Sequence, residues 1–243
     1  LWGTKVAETE KTVKEELGDD RIQVACIGPS GERLSLISSV MHDEGRAAGR
    51  SGVGAVMGSK NLKAVAVRGV KPPGIADPEE LKRLDREWIK RNLEDENFKI
   101  VQKYGTPNIN EPSALSGDSP VKNWGGVGEF DFPEASKISG EAELRYVERK
   151  YACSRCSVAC GGIVRVRGRQ EIYAQRPEYE TASSFGSLLL NSDVESIVRC
   201  AAICSEHGLD AISAGAVVAF AIECSEEGII DSSQTGINLR WGD

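Results

Sequence analysis

The sequence predicts an α+β segment followed by a mainly α-helical domain. Two observations carry this: short apolar runs separated by glycine turns fill the first 72 residues, and after a proline-rich joint at 70–78 the apolar residues recur at helical spacing. A chain of 243 residues with 40% apolar content is large enough to bury a core, as one large or two modest domains.

Val6, Val13 and Leu17, set among Lys and Glu, predict a surface helix that stops at Gly18-Asp19-Asp20. Ile22 to Ile27 then reads as a strand, Leu34 to Val40 as a second and Leu62 to Val67 as a third, the apolar Ala64–Val67 stretch being buried. Between the last two lies the glycine-rich run Gly45 to Lys60, read as flexible backbone bearing basic side chains. A helix is expected from about Glu79 to Arg91, an extended excursion from Gly105 to Gly128 with its prolines and asparagines, and a short helix within Gly140 to Lys150. Val194, Ile197, Val198 and Ala201 predict a helix with Asp193 near its start. Leu209 to Cys224 predicts a second, forming a hairpin with the first around Glu206-His-Gly208. No internal repeat or low-complexity segment occurs.

The formal charge of −7 and pI near 5.1 speak against a nucleic-acid or anionic-membrane partner, and there is no 18-residue apolar run. A soluble cytoplasmic protein is expected. Leu1 in place of Met, and an end at Trp241-Gly-Asp243, predict an internal piece of a longer chain.

Seven cysteines are an odd number, and Cys153, Cys156 and Cys160 form a C-x2-C-x3-C run too tight for disulfide stapling. Soft thiolates at this spacing wrap the corners of an iron-sulfur cluster whose last ligand comes from elsewhere. Zinc binding and redox thiols use similar spacings and stay open. Gly161 and Gly162 would allow close packing beside inorganic sulfur. Cys26, Cys200, Cys204 and Cys224 read as core cysteines, and His42 and His207 are too few and too separated for a zinc site.

The run Gly45 to Lys60 lets backbone approach an anion while Arg46, Arg50 and Lys60 neutralise it. It matches neither the dinucleotide fingerprint nor the phosphate loop. A tight turn with solvated basic residues is the plainer alternative. For Glu178 and Glu180 the plainer alternative is polar helix-start chemistry, and for Asp210 a helix cap.

Together these segments resemble the aldehyde:ferredoxin oxidoreductase family of tungsten enzymes. Arg46 to Lys63 resembles its pterin-side motif, and Cys153, Cys156 and Cys160 its first three cluster ligands. Pro177-Glu-Tyr-Glu-Thr181 and Ser205-Glu-His-Gly-Leu-Asp210 are similar to further family segments. The resemblance runs from residue 1 to 243. It implies the end of a tungstopterin-binding N-terminal domain at 1–72 and a middle helical domain with the Fe-S ligands at 76–243, with the fourth cysteine and a second pterin motif in a later domain.

The resemblance further implies a tungsten bis-pterin beside a [4Fe-4S] cluster, tungsten being favoured over molybdenum. The activity it implies is oxidation of a small aldehyde to a carboxylic acid with electrons passing to ferredoxin or another electron-transfer protein, in a homo-oligomer or with a partner subunit. Arg46, Gly49, Arg50, Lys60 and Asp210 would contact the cofactor, and Glu178 or Glu180, with Glu178 preferred, would serve the reaction. Ser205 stands where the family motif has Asp, which weakens that position more than Asp210. The rival readings are a benzoyl-CoA-reductase-like tungsten subunit and a non-enzymatic Fe-S electron-transfer module.

Overall fold

The computed structural model describes residues 1–43, 45–168 and 170–243. The first helix, α1 (Val6–Leu17), buries Val6 and Val13 and stops at Gly18, whose φ of 67° turns its N–H back onto the carbonyls of Lys14 and Glu15. It packs on an antiparallel four-stranded sheet of order β3-β2-β1-β4, built from β1 (Gln23–Cys26), β2 (Val40–His42), β3 (Arg46–Ala48) and β4 (Ala64–Val67). Cys26 faces Met41 on one side and Ala64 on the other, and these residues join Val6, Val13, Ile22 and Val24 in one apolar cluster.

Three expectations fail in this region, the first being the burial of Ala64–Val67: as the edge strand β4 it is half-buried at Ala64 and exposed from Val65 to Val67. Of the stretch Leu34–Val40 only Val40 enters a strand. Leu34 is left-handed at φ 59°, and Ser38 closes a turn by bonding through both its N–H and its Oγ to the Ser35 carbonyl. Serines that can satisfy the backbone locally compete with a ladder. The glycine-rich run is not open loop either: it forms β3 and, after a left-handed Gly52, the helix α3 (Val53–Ser59). Gly58 lets α3 lie against α2 (Pro29–Glu32), since a Cβ there would stand 2.0 Å from the Gly31 carbonyl oxygen.

The second region begins with α4 (Pro78–Glu94), capped by Asp77, which Asp95 joins directly to α5 (Glu96–Tyr104). The expected excursion at 105–128 instead folds into a 3-10 turn (Thr106–Ile109) and α6 (Asn110–Ser116). Then come α7 (Gly128–Asp131), α8 (Gly140–Leu144) and an antiparallel three-stranded sheet absent from the sequence reading: β5 (Val147–Tyr151), β6 (Gly161–Val166) and β7 (Ile172–Gln175). Helices α9 (Tyr179–Phe185), α10 (Val194–His207), α11 (Ala211–Glu226) and α12 (Ser232–Thr235) complete the chain. Phe132, Ile138, Phe185, Ile197 and Cys204 centre the main core, and Val164 and Val166 of β6 pack on Val194 and Val198 of α10.

The α10–α11 corner docks on the first region. Gly28 touches it so closely that a Cβ would meet the His207 carbonyl oxygen at 2.2 Å. Ser30 Oγ donates to the carbonyls of His207 and Gly208, Ser39 N–H to Gly208, and Asp210 N–H to Ile37. This seam fixes where Asp210 stands relative to β3.

Candidate active site

A cavity of about 930 Å³ opens between the two regions. Arg46, Gly49 and Arg50 line it from β3 and the turn after it, Tyr151 and Cys153 from the end of β5, Glu178 and Glu180 from α9, and Asp210 from the docked corner. Lys60 does not line it: the seven residues of α3 carry it some ~10 Å farther along, to the helix's exposed C-terminal end.

Arg46 is the most constrained of these side chains. Its Nη1 donates to Glu178 Oε1 at 2.8 Å, and its guanidinium lies 5.0 Å from the centre of the Tyr151 ring. Its Nε is buried with no hydrogen-bond partner among the described residues, an uncompensated donor beside the cavity. Burial works against the guanidinium charge, but the Glu178 hydrogen bond and the neighbouring Tyr151 and Cys153 outweigh it and hold the pKa above its ordinary value. Gly161 makes room for this pair, because a Cβ there would meet the Tyr151 ring at 2.7 Å and Arg46 Nη2 at 2.8 Å.

Glu178 is the N-cap residue of α9. Its Oε2 accepts from the Thr106 hydroxyl, which itself accepts from Tyr179 N–H at 3.1 Å, so both carboxylate oxygens are engaged. Glu180 is exposed and accepts from the Tyr179 hydroxyl through Oε1 at 2.9 Å, leaving Oε2 without a donor among the described residues. Asp210 is buried and caps α11 through Oδ2, which accepts from Ser213 N–H at 3.0 Å and from the Ser213 hydroxyl. Its Oδ1 lies 3.2 Å from where a Cβ on Gly49 would sit. The cap and the cavity-facing carboxylate are therefore one residue.

The cysteines sit on the loop from β5 to β6, bent by left-handed Arg155 and Ala159, with Cys156 N–H bonded to the Cys153 carbonyl at 3.0 Å. Ser157 ties this loop to α4 through Asn92 and to α5 through Gln102, each at 3.3 Å. Cys153 is exposed, Cys156 and Cys160 half-buried; burial pushes the Cys160 thiol up, with Glu178 adding to it. Among the described residues no three His, Cys, Asp or Glu side chains converge as a metal site. The donors nonetheless fit three corners of a cluster in number and softness. The remaining cysteines stay in the α and β elements: Cys26 and Cys204 are buried, Cys200 and Cys224 half-buried. For a pterin, the fit lies in the unpartnered Arg46 Nε, the close backbone at Gly49 and the open Asp210 Oδ1, which suit a ligand carrying anionic groups and N–H donors.

Sequence reasoning missed Thr106, Tyr151 and the pair Arg176–Glu143. Arg176 Nε meets Glu143 Oε2 at 2.7 Å with both side chains buried, and its Nη2 donates to the carbonyls of Tyr104 and Gly140. Burial pushes the Glu143 carboxyl up to about 7 against the pull of Arg176. This pair braces the Gly105 turn, which presents Thr106 to Glu178. The available signal was Arg176 itself, a charge placed directly before Pro177.

The family description "Aldehyde ferredoxin oxidoreductase, N-terminal domain" matches residues 1–69, and "Aldehyde ferredoxin oxidoreductase, domains 2 & 3" matches residues 83–243. Tungsten-containing aldehyde ferredoxin oxidoreductase of Pyrococcus furiosus is 40% identical over 247 residues, taking in 100% of this chain and 40% of its own length. The enzyme of the same description from Thermococcus kodakarensis is 38% identical over 246 residues, again covering 100% of this chain and 40% of itself. The chain thus spans about two fifths of the length of these relatives. Among solved structures, the active-site complex BamBC of benzoyl coenzyme A reductase with 1,5-dienoyl-CoA superposes with a TM-score of 0.75 at 28% identity, covering 96% of this chain and 36% of that one.

Proposed function

The chain belongs to the aldehyde ferredoxin oxidoreductase family, and from that premise we propose that the complete protein oxidises an aldehyde to a carboxylic acid at a tungsten bis-pterin centre, delivering electrons through a [4Fe-4S] cluster to ferredoxin or another electron-transfer protein. The observation that carries the reading is Arg46. It stands on the cavity wall, paired to Glu178 and with its buried Nε unpartnered among the described residues.

Arg46, Gly49, Arg50 and Asp210 would hold the pterin side, and Cys153, Cys156 and Cys160 three corners of the cluster. When bound, the metal centre supplies the two-electron oxidation and the cluster the one-electron exits. The protein's own part is to bind, orient and move protons. Asp210, fixed through Oδ2 by its cap, offers Oδ1 to N–H donors. Glu178 is clamped at both oxygens, so a proton taken at Oε2 must displace the Thr106 hydroxyl; it orients Arg46. Glu180, open at Oε2, is the carboxylate free to move a proton at the cavity mouth.

The same reading divides the chain into the end of a tungstopterin-binding domain at 1–72 and a helical, cluster-bearing domain at 76–243. It also places the protein in the cytoplasm, supported by seven free cysteines, three of them in a metal-binding spacing. No helix among the described residues is long and apolar enough to cross a membrane. The likeness to benzoyl coenzyme A reductase favours a second reading, a tungsten reductase of an aromatic thioester; the higher identity to the aldehyde enzymes supports the first.

The test is anaerobic assay of the complete protein with an aldehyde and benzyl viologen. Dye reduction with carboxylate formed in step supports the proposal. A tungsten-loaded protein that ignores aldehydes and exchanges electrons only with an aromatic thioester would replace it with the second reading.

A further inference from the structure

Glu178 stands at the N-cap of α9, where a side-chain oxygen ordinarily turns back to the free N–H groups of the first helical turn, yet it makes no such bond. Both of its oxygens are engaged elsewhere, Oε1 by Arg46 Nη1 at 2.8 Å and Oε2 by the Thr106 hydroxyl. One of the free N–H groups, that of Tyr179, is taken by the same hydroxyl at 3.1 Å. Thr106 therefore does two things with one oxygen. It donates its proton to the carboxylate and accepts from the helix end that the carboxylate would otherwise cap.

The backbone around Thr106 is tightly held. The residue opens the 3-10 turn Thr106–Ile109 between left-handed Gly105, at φ 72°, and buried Pro107. A Cβ on Gly105 would stand 2.6 Å from Arg176 Nη1 and 3.1 Å from the Cys160 carbonyl oxygen. The turn is thus wedged between the buried Arg176–Glu143 pair and the end of the cysteine loop. Thr106 itself does not line the cavity, and it reaches the site through Glu178.

We infer that Thr106 is a positioning residue, whose hydroxyl keeps Glu178 off the helix end and turned to Arg46. The inference rests on reading the Arg46 wall as the cofactor side of an aldehyde-oxidising site. Without the hydroxyl, the carboxylate faces two competing sets of donors, the guanidinium and the first-turn N–H groups of α9. A charge-assisted bond at the positive end of a helix is favourable, and an unpaired Tyr179 N–H carries the desolvation cost of a lost hydrogen bond. Both effects draw Glu178 back onto α9, and Arg46 then loses its carboxylate. A hydroxyl that served only to pack the turn would leave Glu178 where it is.

The complete, anaerobically isolated protein is compared with three variants. Thr106→Val keeps the shape and removes the hydroxyl, Thr106→Ala removes it without setting a methyl group beside the carboxylate, and Thr106→Ser restores it. Crystal structures of the Val and Ala variants should show the Glu178 carboxylate turned onto the first turn of α9 and out of hydrogen-bond reach of Arg46. Both should lose most of their tungsten and pterin with the far-UV circular dichroism unchanged, while Thr106→Ser keeps the wild-type contacts and the full cofactor content. Glu178 still on Arg46 in both hydroxyl-free variants overturns the positioning role. So does full cofactor content in a variant whose Glu178 has turned away, or an equal cofactor loss in Thr106→Ser. A wild type that carries neither tungsten nor pterin overturns instead the reading of the Arg46 wall, and the role of Thr106 with it, wherever Glu178 points.

Discussion

Arg46 Nη1 and Glu178 Oε1 lie 2.8 Å apart across 132 positions of sequence, an ion pair that joins the first strand of the glycine-rich run to the helix start beyond the cysteines. Glu178→Ala leaves a half-buried guanidinium without its carboxylate. With side chains a quarter to a third exposed the cost is screened, and is expected to be ~1–2 kcal/mol by urea denaturation of the chain. Glu178→Gln keeps an acceptor for Arg46 or Thr106 and should cost less. A Glu178→Gln variant as stable as the wild type would show that the pair's charge contributes nothing.

Glu143→Ala strands the Arg176 charge in the core. Breaking a buried pair by removing one partner costs ~3–5 kcal/mol. Because Arg176 also holds the Tyr104 and Gly140 carbonyls, proteolysis at the Gly105 turn should rise in parallel. A variant as stable as the wild type would remove Arg176 from its bracing role.

Burial pushes the thiols of Cys26 and Cys204 from 9.0 up to about 12. Below pH 9 both are protonated folded or unfolded, and their contribution is fully present. Above it the unfolded chain releases protons that the folded chain keeps, so stability should fall as pH rises from 9 toward 12. Mass-spectrometric mapping of iodoacetamide adducts on the cluster-free folded chain should show Cys153 modified first and these two last. Early labelling of Cys26 would contradict its packing under α1.

Gly28→Ala probes the seam that sets Asp210 against β3. With the His207 carbonyl 2.2 Å from the added Cβ, the α10–α11 corner must shift, at ~1–3 kcal/mol. Loss of pterin from the complete protein should accompany it, while Gly74→Ala, with nothing within 4 Å and no left-handed backbone, serves as the control for substitution itself.

Much of the helical framework was legible in the residues. Val6 and Val13 with Gly18 delimit α1, and Asp193 caps α10 as its position suggested. The β5–β7 sheet was not, because β5 reads Val-Glu-Arg-Lys-Tyr and stands largely exposed, with no alternation to betray it. Leu34–Val40 looked strand-like by composition, and only the left-handed Leu34 and the Ser35–Ser38 turn revealed otherwise. At the site, Arg46, Glu178 and Asp210 were found through family resemblance, and each lines the cavity. Thr106 carries no motif; it matters through a tertiary hydrogen bond, which no local pattern encodes. Lys60 was drawn in by adjacency in sequence, and a helix took it away.

The central claim is that Arg46 stands between a pterin site and a cysteine-held cluster. It is tested most directly by tungsten, pterin and iron analysis of the complete, anaerobically isolated protein beside its Arg46→Ala variant. Expected are tungsten, pterin and iron together in the wild type, and in the variant a loss of most tungsten and pterin while the chain stays folded. A wild type that carries iron but neither tungsten nor pterin, or a variant that retains both in full, would contradict it.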